Sequence, residues 1–354
     1  MKSILKPALP VLALATVFIA CNKDDNSDNT DVAKLKTEIL NDAATVVITS
    51  SYDDMFAKAT SLSNAVSTLV ATTNDANLTT ARQAWKDMRT TWEQTEAWLF
   101  GPVDADDIDP RIDTWPVDFN ALDLQLASGN AFTETYIDNL PEDLKGFHPI
   151  EYLLWGQNGN KTAASFTARE KEYLAALTAN LKKLSESVKN SWANGYANTF
   201  KTAGTAGNSD YPTQQSAFVD LVDGMAGICD EVANAKMNDP FEAGDPSLEE
   251  SPFAKNSITD FTNNIQGILK MYQGKFTNDG KGIEDLVRSY NLSLDNEIKT
   301  KHAAAITALQ AITVPFGQAI TTQTTQVQNA MTKINDLATT LEGKLKPFVL
   351  QYVK

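Results

Sequence analysis

The chain has 354 residues and a formal net charge of −15, and it contains only two cysteines and two histidines. Such an acidic chain is poorly suited to bind nucleic acid, whose phosphates attract lysine and arginine, so no nucleic-acid partner is expected. The length is sufficient to bury a large apolar core and favours two domains over one.

The N-terminus has the composition of an export signal. Two lysines precede an apolar run at residues 7–20, which is shorter than the roughly 20 residues that a membrane-spanning helix needs. A small residue followed by Cys21 resembles the cleavage site of bacterial lipoproteins, and a polar stretch follows at once. We predict a signal peptide over residues 1–20, a lipid on Cys21 and a polar tether over residues 21–31. An ordinary secretory signal is the alternative.

Residues 21–25, CNKDD, resemble the lysine-acid-acid signal that directs lipoproteins of the Bacteroidetes to the outer cell surface. The sequence therefore predicts a protein at the outer membrane or cell surface, held there through a lipid anchor only, with a periplasmic location as the alternative. If Cys21 is lipidated, Cys229 has no partner for an intramolecular disulfide. Cys229 lies in an apolar stretch and is expected to serve packing rather than chemistry.

Apolar residues recur at spacings of three and four along most of the chain, which indicates amphipathic helices. Helices are predicted over residues 31–72, 78–100, 149–156, 166–200, 213–237, 257–273, 283–313 (bent near 289–294) and 315–344. No window alternates with period two, so the predicted fold is all-α. All six tryptophans precede the small-residue segment 202–212. This predicts two tandem up-and-down four-helix-bundle-like domains, over residues 32–204 and 205–354.

Residues 101–147 are predicted to be mostly irregular, and a loop of this length inside a compact domain is often functional. Six aspartates alternate with three prolines over residues 102–118. This run and the acidic segment 239–246 could hold calcium, but neither has EF-hand spacing, so solvated loops or helix caps are favoured. Residues 257–260 are predicted to form a capping box.

The segment GFHPIEYLLWG, residues 146–156, carries the strongest chemical signal. Gly146 permits a tight turn, and Pro149 suits the first turn of a helix. His148 and Glu151 are then close enough in sequence to converge near the start of that helix. A capping role is the alternative, with the Glu151 carboxylate bonded to the backbone N–H of residue 148.

The helix at residues 78–100 places Glu96 on its apolar stripe, with Glu93 one turn before it. A carboxylate facing a core is unfavourable unless it is paired or bound to a metal. One interpretation is a surface pair of Arg89 with Glu93, with Glu96 reaching across the bundle. The other is a metal site formed by Glu93, Glu96, His148 and Glu151, as in helical bundles that hold iron.

A zinc peptidase receives less support from the sequence. There is no HExxH or HxxEH motif. Only His302 could be a third zinc ligand, and its neighbours KTKHA indicate a solvated helix face. A hydrolytic zinc also needs an open coordination position and a base, and no residue is identified as that base.

Several segments resemble the imelysin-like family of bacterial periplasmic and surface proteins. Residues 146–151 carry the family's GxHxxE motif at Gly146, His148 and Glu151. Residues 92–102, 112–118, 239–242 and 250–257 followed by Asp260-Phe261 are similar to its other recurring segments, and the match extends over residues 35–350. The residues that match these segments without an assigned role are Asp113, Asp118, Ser251, Asn256 and Asp260.

The resemblance implies an all-helical fold of two bundles, with the GxHxxE site near their interface, and a link to iron or haem acquisition. The leading hypothesis is a surface or outer-membrane lipoprotein that binds iron, or an iron-bearing ligand, for uptake in concert with iron-uptake proteins. Zinc and calcium are less favoured, and haem remains an open alternative as the ligand. A metallopeptidase, as the family name suggests, and a module that binds a peptide or another metal-free ligand are the alternatives.

Overall fold

A computed structural model describes residues 25–354, with side chains from residue 31. The predicted signal peptide, Cys21 and residues 22–24 of the predicted tether lie outside this range. Residues 25–354 form helices joined by turns and contain no strand, which confirms the all-α prediction. Within this range, no helix is both long enough and apolar enough to cross a membrane.

The first half of the chain contains four helices of 18–24 residues and a connection built from short ones. The α-helices are α1 (Asp25–Asp42), α2 (Ser50–Ala71), α3 (Asp75–Thr95), α4 (Pro102–Ala105), α5 (Ile108–Asp113), α6 (Phe119–Ala127), α7 (Glu134–Asp138), α8 (Phe147–Trp155), α9 (Ala168–Ser191) and α10 (Ala197–Lys201). Segments of π-helix at Ala43–Thr49 and Trp192–Tyr196 continue α1 into α2 and α9 into α10. Short 3₁₀ turns lie at Glu96–Trp98, Glu142–Leu144 and Ala163–Ser165.

The second half contains four helices of 17–19 residues and four of only 6–8 residues. They are α11 (Gln214–Glu231), α12 (Asn238–Ala243), α13 (Ser257–Gln273), α14 (Ile283–Tyr290), α15 (Leu292–Gln310), α16 (Phe316–Thr322), α17 (Thr324–Thr340) and α18 (Lys346–Tyr352). π-Helical segments follow α11 at Val232–Lys236 and α17 at Leu341–Leu345, and a 3₁₀ turn lies at Pro246–Leu248. The predicted bend at residues 289–294 is the break between α14 and α15.

Two local predictions need correction. Residues 101–147 are not mostly irregular, because α4 to α7 occupy much of this connection. The capping box at residues 257–260 is wrong, because Asn256 is the N-terminal residue that flanks α13 and its side chain makes no capping bond. Asn256 Nδ2 instead donates to Asp260 Oδ1 at 2.7 Å.

One continuous apolar core runs through the described residues of both halves. The end of α3 and the 3₁₀ turn that follows it lie directly against α11 and α13. A Cβ on Gly224 of α11 would lie 2.5 Å from the Ala97 carbonyl oxygen, and one on Gly267 of α13 would lie 2.2 Å from that of Gln94. The backbones therefore approach closely where the halves meet. The domain boundary near residue 205 stays a prediction.

Candidate functional site

A buried arginine lies at the centre of the candidate site. Arg89 is on α3, and its side chain is inaccessible to solvent. Its Nη2 contacts Glu250 Oε1 and lies 2.5 Å from Glu93 Oε1, its Nη1 contacts Asp113 Oδ1, and its Nε lies 3.5 Å from Asp260 Oδ1. Burial opposes the charge, but these carboxylates outweigh it and raise the pKa of Arg89 well above its usual value.

The interpretation of Arg89 and Glu93 as a surface pair is therefore wrong in placing the pair at the surface. The two residues do pair, one helical turn apart, but both side chains are completely buried. A guanidinium without water is stable only when several acceptors surround it. The acceptors come from both halves of the chain.

Asp113, the last residue of α5, brings a carboxylate from the long connection to the arginine. Trp92 Nε1 donates to Asp113 Oδ2 at 2.6 Å, and Asp113 Oδ1 lies 3.1 Å from His148 Nε2. Burial would raise its pKa, but Arg89 and then His148 hold the pKa of Asp113 well below its usual range. This carboxylate is therefore ionised in the folded protein.

The turn before α8 brings His148 against the end of α5. Gly146 has a φ of 82°, and a Cβ there would lie 2.2 Å from the Ile112 carbonyl oxygen, so only glycine fits. The His148 side chain is completely buried, with Nδ1 3.6 Å from Glu151 Oε2 and Nε2 3.9 Å from Glu250 Oε1.

Carboxylate oxygens surround the His148 ring, but none is placed to form a well-aligned hydrogen bond with it. Among the described residues, neither ring nitrogen has an aligned hydrogen-bond partner, and Glu151 Oε2 has none either. Burial lowers the pKa of His148, but the adjacent Asp113 and Glu151 carboxylates outweigh burial and raise it to about 9. Trp115 covers the ring, with centroids 4.9 Å apart.

Glu151 joins α8 to the second half of the chain. Its Oε1 accepts hydrogen bonds from the backbone N–H groups of Phe253 at 2.9 Å and Ala254 at 2.7 Å. The alternative in which Glu151 caps its own helix is therefore wrong. The carboxylate instead fixes the segment that carries Glu250 beside His148.

Glu93 and Glu96 lie at the end of α3 and both are buried. Asn264 Nδ2, from α13, lies 2.7 Å from Glu93 Oε2 and also contacts Glu96 Oε2. Lys236 Nζ lies 3.2 Å from Glu96 Oε1 and 3.4 Å from Glu250 Oε1. Burial, reinforced by Glu93, raises the pKa of Glu96 well above its usual value.

The segment after Glu250 closes the site from the other side. Ser251 Oγ donates to Asp260 Oδ2 at 2.6 Å, and Asn256 donates to the other oxygen. Burial raises the pKa of Asp260 well above its usual value despite the nearby Arg89. Ser251, Asn256 and Asp260 thus form one hydrogen-bonded unit that faces the arginine.

Asp113, His148 and Glu250 offer the best cation ligands. One atom from each lies within 4.8 Å of the other two, and no other group of three or more potential ligands is this close anywhere in residues 31–354. The acidic segments at 102–118 and 239–246 therefore form no separate cluster of this kind. Two carboxylate oxygens and one imidazole nitrogen suit iron or manganese better than a soft metal.

Comparison with known proteins identifies the family. The imelysin family model matches residues 48–342, which is most of the chain. The chain belongs to the imelysin family. Iron-regulated protein A of Synechococcus elongatus (strain ATCC 33912 / PCC 7942 / FACHB-805) is 29% identical over 346 residues, covering 95% of this chain and 91% of that relative.

Two solved structures have the same architecture. A candidate iron-regulated protein A precursor from Parabacteroides distasonis ATCC 8503 superposes with a TM-score of 0.82 at 26% identity, covering 89% of this chain and 95% of its own. An imelysin-like protein from Psychrobacter arcticum 273-4 superposes with a TM-score of 0.72 at 13% identity, covering 90% and 96%. The fold of this imelysin-family chain is thus shared by proteins of low sequence identity.

Other predicted residues lie elsewhere in this imelysin fold. Asp118 caps α6 by accepting the Ala121 N–H at 2.9 Å. His302 is not on a solvated face, because its side chain is buried and its Nε2 lies 3.0 Å from the Ile265 carbonyl oxygen. Cys229 is buried in α11.

Sequence reasoning missed Glu250, Lys236 and Asn264 as members of the cluster. Glu250 begins one of the segments that resemble the imelysin-like family, which was the available signal. Lys236 and Asn264 gave no signal, because their role arises only when α11 and α13 pack against the end of α3.

Proposed function

We propose that this protein is a lipid-anchored protein of the cell envelope that binds iron, or an iron-bearing ligand, for uptake. The cation would bind at Asp113, His148 and Glu250. The main support is His148: its completely buried imidazole has neither nitrogen aligned to a partner, yet three carboxylates lie within 4 Å of it, those of Asp113 and Glu250 at Nε2 and that of Glu151 at Nδ1. The relative from Synechococcus elongatus is named an iron-regulated protein, which agrees with this cargo.

The charge balance of the cluster favours a cation. Six buried carboxylates surround two permanently cationic side chains, Arg89 and Lys236. The six are Glu93, Glu96, Asp113, Glu151, Glu250 and Asp260. Burial raises the pKa values of Glu93, Glu96 and Asp260 above their usual values, so these three acids resist ionisation in the metal-free cluster. A bound di- or trivalent cation would stabilise their charged forms.

The surrounding residues would hold the ligands in place. Glu151 is fixed by two backbone N–H groups and directs its free oxygen at His148 Nδ1, which leaves Nε2 towards Asp113 and Glu250. Partners of this kind orient histidine ligands in metal sites. Arg89 contacts the same two carboxylates, so the cation would share them with the guanidinium.

A peptidase receives less support from the geometry. One oxygen of Glu151 is already bonded to two backbone N–H groups, and the GxHxxE residues are completely buried. His302, the only other histidine and the one candidate for a third zinc ligand, is bonded to a backbone carbonyl instead. A hydrolytic site needs a ligand position that substrate and water can reach.

Calorimetric titration of the mature chain with Cys21→Ser tests the proposal. The ligands are Fe²⁺ under argon, Fe³⁺ citrate, Zn²⁺ and haem. We expect the wild-type protein to bind one equivalent of iron. The single variant His148→Gln and the double variant Asp113→Asn/Glu250→Gln should each lose at least a hundredfold in affinity for iron. The matched control removes two exposed carboxylates, with Glu172→Gln and Asp279→Asn, and should bind as wild type.

A map of anomalous scattering at the iron edge locates the ion directly. Density between Asp113, His148 and Glu250 supports the proposal. If neither iron nor haem binds, or if the folded site variants bind as well as the control, the proposed function is wrong.

A further inference from the structure

Lys236 occupies the boundary between the acidic cluster and the surface. It ends the π-helical segment Val232–Lys236, and its side chain is only 10% exposed. Its ammonium lies 3.2 and 3.3 Å from the two oxygens of Glu96, 3.4 Å from Glu250 Oε1 and 3.6 Å from Glu231 Oε1. The Glu231 side chain is 52% exposed, so the ammonium has acceptors on both its inner and its outer side.

We propose that Lys236 is an internal cation that holds Glu250 in the metal-free protein and swings outward to Glu231 when a metal ion binds. This proposal rests on the proposed function, since it concerns the same site. It makes Lys236 the residue that sets the affinity of the site.

The contacts of Glu250 give the reason for competition. Its Oε1 contacts Arg89 Nη2, lies 3.4 Å from Lys236 Nζ and lies 3.9 Å from His148 Nε2. An oxygen surrounded by two cationic groups has little remaining capacity to bind a metal ion. One of the two cations must withdraw, because like charges repel strongly at such distances in a site without water.

Arg89 is the less mobile of the two cations. It is completely buried and contacts four carboxylates, so no outward position is available to it. Lys236 has a flexible four-carbon stem and already lies near an exposed acceptor in Glu231. Its π-helical segment also supports a functional role, because such segments recur at functional sites.

Substitution of Lys236 in the mature chain tests the competition. Lys236→Met keeps the length of the side chain and removes its charge, so we expect about tenfold tighter binding of Fe²⁺ by calorimetry under argon. Lys236→Arg keeps the charge and should bind no tighter than wild type. Lys34→Met removes a lysine that is 73% exposed and controls for net charge.

Acetylation of lysines followed by mass spectrometry tests the swing in the wild-type protein, without any variant that could fail to fold. Lys236 should react several times faster with saturating Fe²⁺ than without it, while Lys34 reacts equally in both states. An unchanged or slower reaction of Lys236 would overturn the swing. If the wild-type protein binds Fe²⁺ and folded Lys236→Met binds it no more tightly, the competition is wrong but the proposed function stands. If neither protein binds Fe²⁺, the proposed function is wrong as well.

Discussion

Arg89 shows the limit of reasoning from neighbours in sequence. The four-residue spacing to Glu93 predicts a pair, and the pair exists. Its other partners include Glu250, 161 positions away, which no local pattern can reveal. A pair with this spacing is common on helix surfaces, but here it is part of a buried network of charges. Each charge in the network needs the others, because an unpaired charge away from water has a very unfavourable free energy.

His302 is a second residue that the sequence placed wrongly, and its burial has a consequence for stability at low pH. Burial lowers the pKa of His302 below its usual value of 6.5, although the hydrogen bond to the Ile265 carbonyl opposes this. The folded state therefore favours the neutral ring. The neutral His302 ring therefore contributes fully to the free energy of unfolding above about pH 6.5. This contribution is lost as the pH falls from there through the lowered pKa.

We expect His302→Gln to remove part of the acid sensitivity of folding. Urea unfolding at pH 7.5 and pH 5 should show a smaller loss of unfolding free energy in the variant than in wild type. Many carboxylates titrate in the same range, so the comparison between the two proteins is the informative quantity. An equal loss in both would show that His302 does not titrate differently in the folded and unfolded states.

At the scale of elements, the sequence predicted most long helices and failed where packing decides the structure. Periodicity identified the long helices and the break at α14, since an amphipathic stripe is a local property. The short helices α4 to α7 lack enough residues to show a stripe, and tertiary contacts hold them.

Of the predicted metal residues, His148 lies in the compact ligand group, and Glu151 supports it. Glu93 and Glu96 contact Arg89, Lys236 and Asn264 instead.

The contact of α11 with the turn after α3 gives a sharp test of packing. A methyl group at Gly224 would lie 2.5 Å from a backbone carbonyl oxygen, whereas one at Gly227, on the same helix, meets nothing within 4 Å. We expect Gly224→Ala to destabilise the protein by about 1–3 kcal/mol through overpacking. Gly227→Ala should stabilise it by about 0.5–1 kcal/mol, because alanine favours a helix more than glycine does.

Urea denaturation of both variants measures the difference. The opposite signs are the essential result, since both changes add the same methyl group to the same helix. If the two variants have the same stability, the close approach of α11 to the turn after α3 is wrong.

At the scale of the whole molecule, the two predicted domains depend on each other. They share one apolar core, and the cluster takes Arg89 and His148 from the first half and Glu250 and Asp260 from the second. Separation would expose apolar faces and leave Arg89 with only two of its four carboxylates. Chain composition showed where a boundary could lie, but not how strongly the halves are coupled.

We therefore predict that residues 32–204 and 205–354, produced separately, will each lack a cooperative thermal transition in far-ultraviolet circular dichroism. Mixing the two should restore the transition if they assemble. The intact mature chain provides the reference. A cooperative transition in either isolated half would show that this half is an independent folding unit.

The Trp115 ring that covers His148 also provides an optical signal. All six tryptophans lie between residues 85 and 192, so the indole fluorescence of the protein comes from the first half alone. Among the described aromatic contacts of His148, only Trp115 packs its ring against the imidazole, with centroids 4.9 Å apart and the ring planes tilted by 53°. A paramagnetic ion at His148 would quench Trp115 and also Trp92, whose indole N–H donates to Asp113. Occupancy of the buried centre could therefore be followed in the unlabelled protein by its own emission.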